Sequence, residues 1–250
     1  MHRFYLPTVP CESGDFPLPR GDAKKILRVL KLDQGEEILL WDEEGREYLA
    51  QITKTERMSV YVRVLEEHVK EVESPLRLVL VQGIPKGGKF EFIIQKATEL
   101  GVWSIYPAIT ERTVVKLPPE RRDNRLRRWQ MVAQEAARQC GRVQIPEIMP
   151  VASFAEILKN IEADAHRLIL WEGETEENSL KEYLRKHTET QQTPVYLFIG
   201  PEGGLSVQEV ELAQAYGCVA VTLGPRILRT ETAGLVGLSL ILYEWSDLGG

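Results

Sequence analysis

The chain has 250 residues, a formal net charge of −6, and 43% hydrophobic and 27% charged residues, the composition of an ordinary soluble globular protein with room for one large or two small domains. No apolar run reaches the length of a membrane span, and Met1-His2-Arg3-Phe4-Tyr5 lacks the basic-then-apolar plan of a secretion signal. Cys11, Cys140 and Cys218 are isolated and odd in number and the four histidines are scattered, so no disulfide framework and no metal site is expected, and a reducing cytoplasm fits best.

Residues 1 to about 70 read as a small β-rich unit. Strands are expected at 36–41, 46–53 and 59–65, where Val60, Val62 and Val64 alternate with Tyr61, Arg63 and Leu65. Asp42-Glu43-Glu44-Gly45 supplies a turn, and 21–30 predicts one short helix with Ile26, Leu27 and Leu30 on its buried side. Strands this short need a closed or packed sheet, so a small barrel is expected. The charged, unpatterned stretch 66–75 reads as the boundary, dividing the chain into domains 1–70 and 71–250.

Beyond it the period changes. Strands are expected at 76–81, 104–109, 167–171, 195–199 and 218–223, the first and last reading as buried apolar runs. Helices are expected at 90–100, stopped by Gly101, and from Pro118-Pro119 through Gln139. Others begin at Ser153 and Ser206, each with a glutamate three residues on, one covers 180–186, and 233–245 reads as the last. Strand and helix alternating without hairpin signals predicts an α/β fold with a mainly parallel sheet and helices on both faces.

In such sheets a ligand lies outside the carboxyl ends of the strands. Three polar loops fall there: the one after Trp171, Gly200-Pro201-Glu202-Gly203-Gly204, and Leu223-Gly224-Pro225-Arg226-Ile227-Leu228-Arg229-Thr230-Glu231-Thr232-Ala233. The last reads either as a ligand loop or as a tight strand-to-helix turn whose arginines face water. Neither a Walker loop nor a dinucleotide fingerprint is present. A loop with backbone groups, a carboxylate and little positive charge suits an adenosine-bearing ligand without polyphosphate. The net charge argues against a nucleic-acid partner, but its distribution argues for one: residues 111–142 carry nine basic and four acidic residues, an excess of +5. Most of the nine are arginine, suited to phosphates; the other reading is a solvated helix face.

Those two glycine-bearing stretches, with Lys89-Phe90-Glu91, Gln95-Lys96-Ala97-Thr98-Glu99-Leu100-Gly101, Glu111-Arg112-Thr113, Glu135-Ala136-Ala137-Arg138-Gln139 and the opening Arg3-Phe4-Tyr5, resemble the RsmE family of SPOUT-class methyltransferases. The resemblance covers nearly the whole chain and departs at Ala23-Lys24-Lys25, where the family often carries histidines. It implies methylation of N3 of a uridine in small-subunit (16S) ribosomal RNA with S-adenosylmethionine as donor. It further implies an N-terminal PUA-like β-barrel, a trefoil-knotted SPOUT domain, and a homodimer acting on RNA or on the assembled small subunit.

Under that resemblance the candidate catalytic residues are Arg229 and Arg112, as the cation facing the N3 anion, and Glu231 as proton acceptor. The alternative for Arg229 and Glu231 is that they pair with each other and brace the loop. The expected cofactor residues are Leu223, Ile227 and Leu228 for adenine and Gly200, Glu202 and Gly203 for the ribose and methionine side, with Trp171, Gly224, Thr230 and Ala233 completing the site. Glu202 has the competing role of a turn carboxylate. Arg3, Arg28, Lys31, Arg128, Arg138 and Arg142 are the candidate RNA contacts, and Phe4 and Tyr5 either stack on a base or belong to the core. Two rivals remain: a non-catalytic RNA-binding protein with a structural knot, and a small-molecule enzyme with an adenosine cofactor.

Overall fold

The structure, a computed structural model, describes residues 1–11, 14–69, 72–174, 178–187 and 193–249. The chain forms two compact units, Met1–Glu73 with Ala137–Ile145, and Ser74–Ala136 with Pro146–Gly250. The boundary expected between residues 70 and 71 lies outside the described residues.

In the first unit, β1 (Arg3–Tyr5) and β2 (Phe16–Pro17) precede helix α1 (Arg20–Lys25) and a π-helical turn (Ile26–Leu30), followed by β3 (Glu37–Trp41), β4 (Arg46–Thr55) and β5 (Val60–Val69). The sheet order is β1-β3-β4-β5-β2, with β1 parallel to β3 and the other pairs antiparallel. Ile38, Leu40, Tyr48, Ala50, Ile52, Val60 and Val62 are all fully buried, the two-residue period of strands with one face on a core. The single helix expected over 21–30 widens at Ile26 and ends at Lys31, whose φ of 55° turns the chain out of the helix. Asp42 builds the β3–β4 turn: its carboxylate accepts the amides of Glu44 and Arg46, each at 3.0 Å, and the Tyr48 hydroxyl at 2.8 Å.

Residues 137–145 are fastened to this unit by charge. The Arg3 guanidinium pairs with Glu47 at 2.7 Å and donates to the carbonyls of Ala137 (3.4 Å) and Arg142 (3.2 Å). Glu73 accepts the Arg142 guanidinium at 2.7 Å and the amides of Val143 and Gln144 at 2.9 and 3.0 Å.

The second unit runs β6 (Leu78–Gly83), α2 (Lys89–Leu100), β7 (Ser104–Ile109), α3 (Pro119–Cys140), β8 (Glu147–Ile148), β9 (Ala152–Ser153), α4 (Phe154–Lys159), β10 (His166–Leu170), α5 (Leu180–Lys186), β11 (Val195–Ile199), α6 (Val207–Ala215), β12 (Val219–Val221) and α7 (Thr230–Trp245). Its sheet has the order β12-β10-β11-β6-β7-β8, with β9 beside β7, and every pair is parallel. Every residue of β6 and β11 is buried because helices cover both faces. Val79, Val81, Ile169 and Phe198 meet Phe154, Ile157, Val210 and Ala213 of α4 and α6 on one face. On the other, α7 lies close because it carries glycine at the contact; a Cβ on Gly237 would come 2.8 Å from Leu197. Both expected capping boxes are present, Ser153 with Glu156 and Ser206 with Glu209. The short strands β1, β2, β8 and β9 were not expected, since two or three residues carry no period to detect. Among the described residues no helix is long and apolar enough to cross a membrane, and no group of three or more His, Cys, Asp or Glu could hold a metal ion.

Candidate active site

The three neighbouring strands β12, β10 and β11 end side by side, and the loops that leave their carboxyl ends enclose a cavity of about 550 Å³. Leu170 to Glu172 and Glu174 form one wall, 199–202 with Gly204 and Leu205 a second, and 221–230 with Ala233 a third; Lys89 joins them from the start of α2.

A buried amide ties the loops together. Gln82, fully buried at the end of β6, donates from Nε2 to the Thr230 hydroxyl at 2.8 Å and to the Gly83 carbonyl at 3.0 Å. Thr230 in turn donates to the Gly200 carbonyl at 2.6 Å. The start of α7 is thereby bonded to the first residue of the 200–204 loop. Two glycines make the approach possible: a Cβ on Gly83 would fall 2.6 Å from the Pro201 nitrogen, and one on Gly200 would fall 2.7 Å from the Gly204 carbonyl carbon. Gly204 closes the turn with φ of +68° and its amide on the Pro201 carbonyl at 2.9 Å.

The Ser206–Glu209 box does more than start α6. Glu209 Oε2 accepts the Ser206 amide at 3.0 Å, while its Oε1 accepts the Glu111 amide at 2.8 Å. This holds the loop after β7 against the 200–206 segment, and the next residue, Arg112, donates to the Gly203 carbonyl at 2.7 Å.

All the expected cofactor residues except Gly203 line the cavity: Trp171, Gly200, Glu202, Leu223, Gly224, Ile227, Leu228, Thr230 and Ala233. Gly203 turns toward Arg112, whose Cβ would lie 3.3 Å from a Cβ placed on it. The catalytic candidates separate. Arg229 lines the cavity and is exposed, and among the described residues it makes no ion pair or hydrogen bond through its side chain. Glu231 does not pair with it; its carboxylate takes Lys89 Nζ at 3.2 Å. Arg112 is engaged on the loop carbonyl and is not part of the cavity wall.

Glu202 accepts the Lys86 amide at 3.0 Å, with Lys89 Nζ 3.5 Å away. Partial burial favours its neutral acid, but its own amide, the Lys86 amide and the Lys89 ammonium outweigh burial and hold the carboxyl below the usual range. It is thus both the turn carboxylate and a cavity residue. Composition gave no reason to select Lys89, Glu172, Glu174 or Gln82. Only Gln82 left a signal, as a lone polar residue ending an apolar strand.

The RNA candidates divide as well. Arg28 and Lys31 are exposed in the first unit, and Arg128 is exposed on α3, 3.1 Å from Glu91. Arg138 is half-buried and donates to the Arg3 carbonyl. The expectation fails for Arg3 and Arg142, which are 8% and 5% exposed and spent on Glu47, Glu73 and carbonyls; a guanidinium so enclosed presents no donor to a phosphate. Phe4 is 1% exposed and Tyr5 packs on Trp41 with ring centroids 4.8 Å apart, so the pair serves the core and not base stacking.

A cavity at the carboxyl ends of parallel strands, lined by two glycine-bearing loops, belongs to an RNA methyltransferase: the family model described as an RNA methyltransferase domain matches residues 72–242. Ribosomal RNA small subunit methyltransferase E of Bacillus subtilis (strain 168) is 32% identical over 240 residues, covering 96% of this chain and 94% of that one. The protein of the same name from Synechocystis sp. is 34% identical over 214 residues, 86% of this chain and 68% of that one. The crystal structure of ribosomal RNA small subunit methyltransferase E from Neisseria gonorrhoeae, bound to S-adenosyl methionine, matches with a TM-score of 0.89 at 34% identity over 99% of both chains. The chain belongs to the ribosomal RNA small subunit methyltransferase E family.

Proposed function

We propose that the chain methylates N3 of a uridine in small-subunit (16S) ribosomal RNA, with S-adenosylmethionine bound in the cavity and Arg229 stabilising the N3 anion. The observation that carries this is the hydrogen bond from Thr230 to the Gly200 carbonyl, which makes one site of the two loops in a member of this family. The donor set fits such a cofactor. The amides of Arg226, Ile227, Leu228 and Arg229 donate to nothing within the described residues, leaving main-chain groups for a flat, uncharged purine edge. S-adenosylmethionine would supply a methyl group on a positively charged sulfur, an electrophile that needs no metal.

The chain's task is then to favour the anion of the attacking base. Uracil N3–H titrates roughly two units above neutral, so forming the anion costs about 3 kcal/mol. A cation at O2 or O4 in a site shielded from water can supply most of that. Arg229 suits the role because it lines the cavity and, among the described residues, its guanidinium has no partner. Glu231 as proton acceptor would first have to leave Lys89. Arg112 braces the 200–204 loop through Gly203.

For RNA, Arg28 and Lys31 in the first unit and Arg121, Arg127 and Arg128 on α3 are exposed cations that would meet phosphates, Arg128 after leaving Glu91. A PUA-like barrel is proposed for the first unit, supported by its five-stranded sheet. A trefoil knot is proposed for the second: from edge strand β12 the chain crosses the strand ends and enters α7, packed on Leu197 of β11. A homodimer through that unit is supported by Leu240 and Tyr243, exposed on α7, and a cytoplasmic location by the substrate.

Incubation with labelled S-adenosylmethionine and either unmodified small subunits or free ribosomal RNA tests the function. The expected result is label at uridine N3, with Arg229→Ala lowering kcat by about 10- to 1000-fold at unchanged cofactor affinity. RNA binding without transfer would identify a non-catalytic RNA-binding protein, and turnover without RNA a small-molecule enzyme. Normal turnover in a folded Arg229→Ala protein would remove the electrostatic role.

A further inference from the structure

Lys89 opens α2, where the helix dipole opposes a positive charge. Its ammonium is held instead by two carboxylates, 3.5 Å from Glu202 Oε1 and 3.2 Å from Glu231 Oε2. Lys89 and Glu202 both line the cavity, with side chains 37% and 31% exposed. An ammonium has three N–H donors; Glu231 accepts one and Glu202 lies at ion-pair distance, so at least one remains. Glu202 Oε1 also takes the Lys86 amide, while among the described residues its Oε2 accepts from no other residue. A carboxylate has about four lone-pair sites, so even with its own amide and that of Lys86 bonded Glu202 keeps accepting capacity, and the pair offers the cavity a donor and an acceptor, of opposite charge and adjacent.

That pattern complements an α-amino acid, which carries a carboxylate and an ammonium on one carbon. The 223–228 loop offers the opposite character, uncharged main-chain groups and apolar side chains apart from Arg226. Taking the cavity as the methyl donor's site, as proposed above, we infer that Lys89 and Glu202 recognise the zwitterionic amino-acid end of S-adenosylmethionine. Lys89 receives the α-carboxylate and Glu202 the α-ammonium, and the adenosine end lies along the 223–228 loop. Charge-assisted hydrogen bonds of this kind are roughly twice as strong as neutral ones, so the pair contributes selectivity as well as orientation. Its own amide, the Lys86 amide and Lys89 hold the Glu202 carboxyl below the usual range against partial burial, which favours the carboxylate that an ammonium needs.

Calorimetry on the intact protein with two ligands tests this. S-adenosylhomocysteine keeps the amino-acid end; 5′-methylthioadenosine has the same adenosine and thioether without it. The wild type should bind S-adenosylhomocysteine more tightly by about tenfold or more. Lys89→Met and Glu202→Gln should each weaken S-adenosylhomocysteine by about tenfold while leaving 5′-methylthioadenosine within about twofold, and Lys89→Arg should recover part of the loss. Retained 5′-methylthioadenosine binding also reports an intact fold. Equal weakening of both ligands would show that Lys89 only braces the loop and would overturn the inference, as would a wild type indifferent to the amino-acid end. A wild type that binds neither ligand would instead sink the reading of the cavity as a cofactor site.

Discussion

A methyl group on Gly200 would lie 2.7 Å from the carbonyl carbon of Gly204 and 2.9 Å from the amide nitrogen of Leu205, both backbone atoms. Nothing there can rotate aside, so the loop itself must move, and with it the carbonyl that Thr230 and Gln82 grip. Gly200→Ala should therefore abolish cofactor binding in calorimetry and lower stability by about 2 kcal/mol or more in urea titration. This residue was legible in the sequence, because glycines clustered after an apolar strand have few other uses. Arg3 was not. A guanidinium at a chain start looks the same whether it meets phosphate or the carbonyls of a helix end, and only the positions of Glu47, Ala137 and Arg142 decide. The role of Lys89, which lies in a stretch that resembles the family, had no local signal for a similar reason: its partners are 113 and 142 residues away in the chain.

Helix starts were the best-read elements, since Ser153 with Glu156 and Ser206 with Glu209 carry their signal within four residues. The second use of Glu209, on the amide of Glu111, has no local signature. The far end of α5 is held by another group that sequence could not connect. His166 Nδ1 meets the Tyr183 hydroxyl at 2.9 Å, and its ring lies 5.4 Å from Trp245 and 5.9 Å from His187. Burial first, then the His187 charge, lowers its pKa below the ordinary 6.5. The unfolded chain therefore binds the proton more readily than the folded one. Stability from this site is complete above about pH 6.5 and is lost as pH falls from there toward the lowered folded value. Urea midpoints should decline between pH 7.5 and 5 in the wild type and decline less in His166→Phe, at roughly those pH values.

On the scale of the whole molecule, the α/β class and the parallel sheet followed from strand and helix alternating without hairpin signals, and the full burial of β6 and β11 agrees with it. Their order did not, because no residue in β12 records that it lies beside β10. The first unit depends on an ion-pair web that no local pattern shows. Arg3→Met would leave Glu47 buried without a partner and several carbonyls short of a donor, at a cost of about 3 kcal/mol. The expected readout is a lowered denaturant midpoint for the first unit with methylthioadenosine binding by the second unchanged.

Residues 137–145 complete that first unit although 63 residues of the second precede them in the chain. A ribosome making this protein thus cannot release a finished amino-terminal unit when residue 73 emerges. The β-strands of that unit must wait until the end of α3 has been synthesised, with Glu73 and the Arg3 donors that meet the Ala137 and Arg142 carbonyls unsatisfied. Nascent chains halted short of residue 145 should be open to protease throughout their first 73 residues and become resistant only afterward.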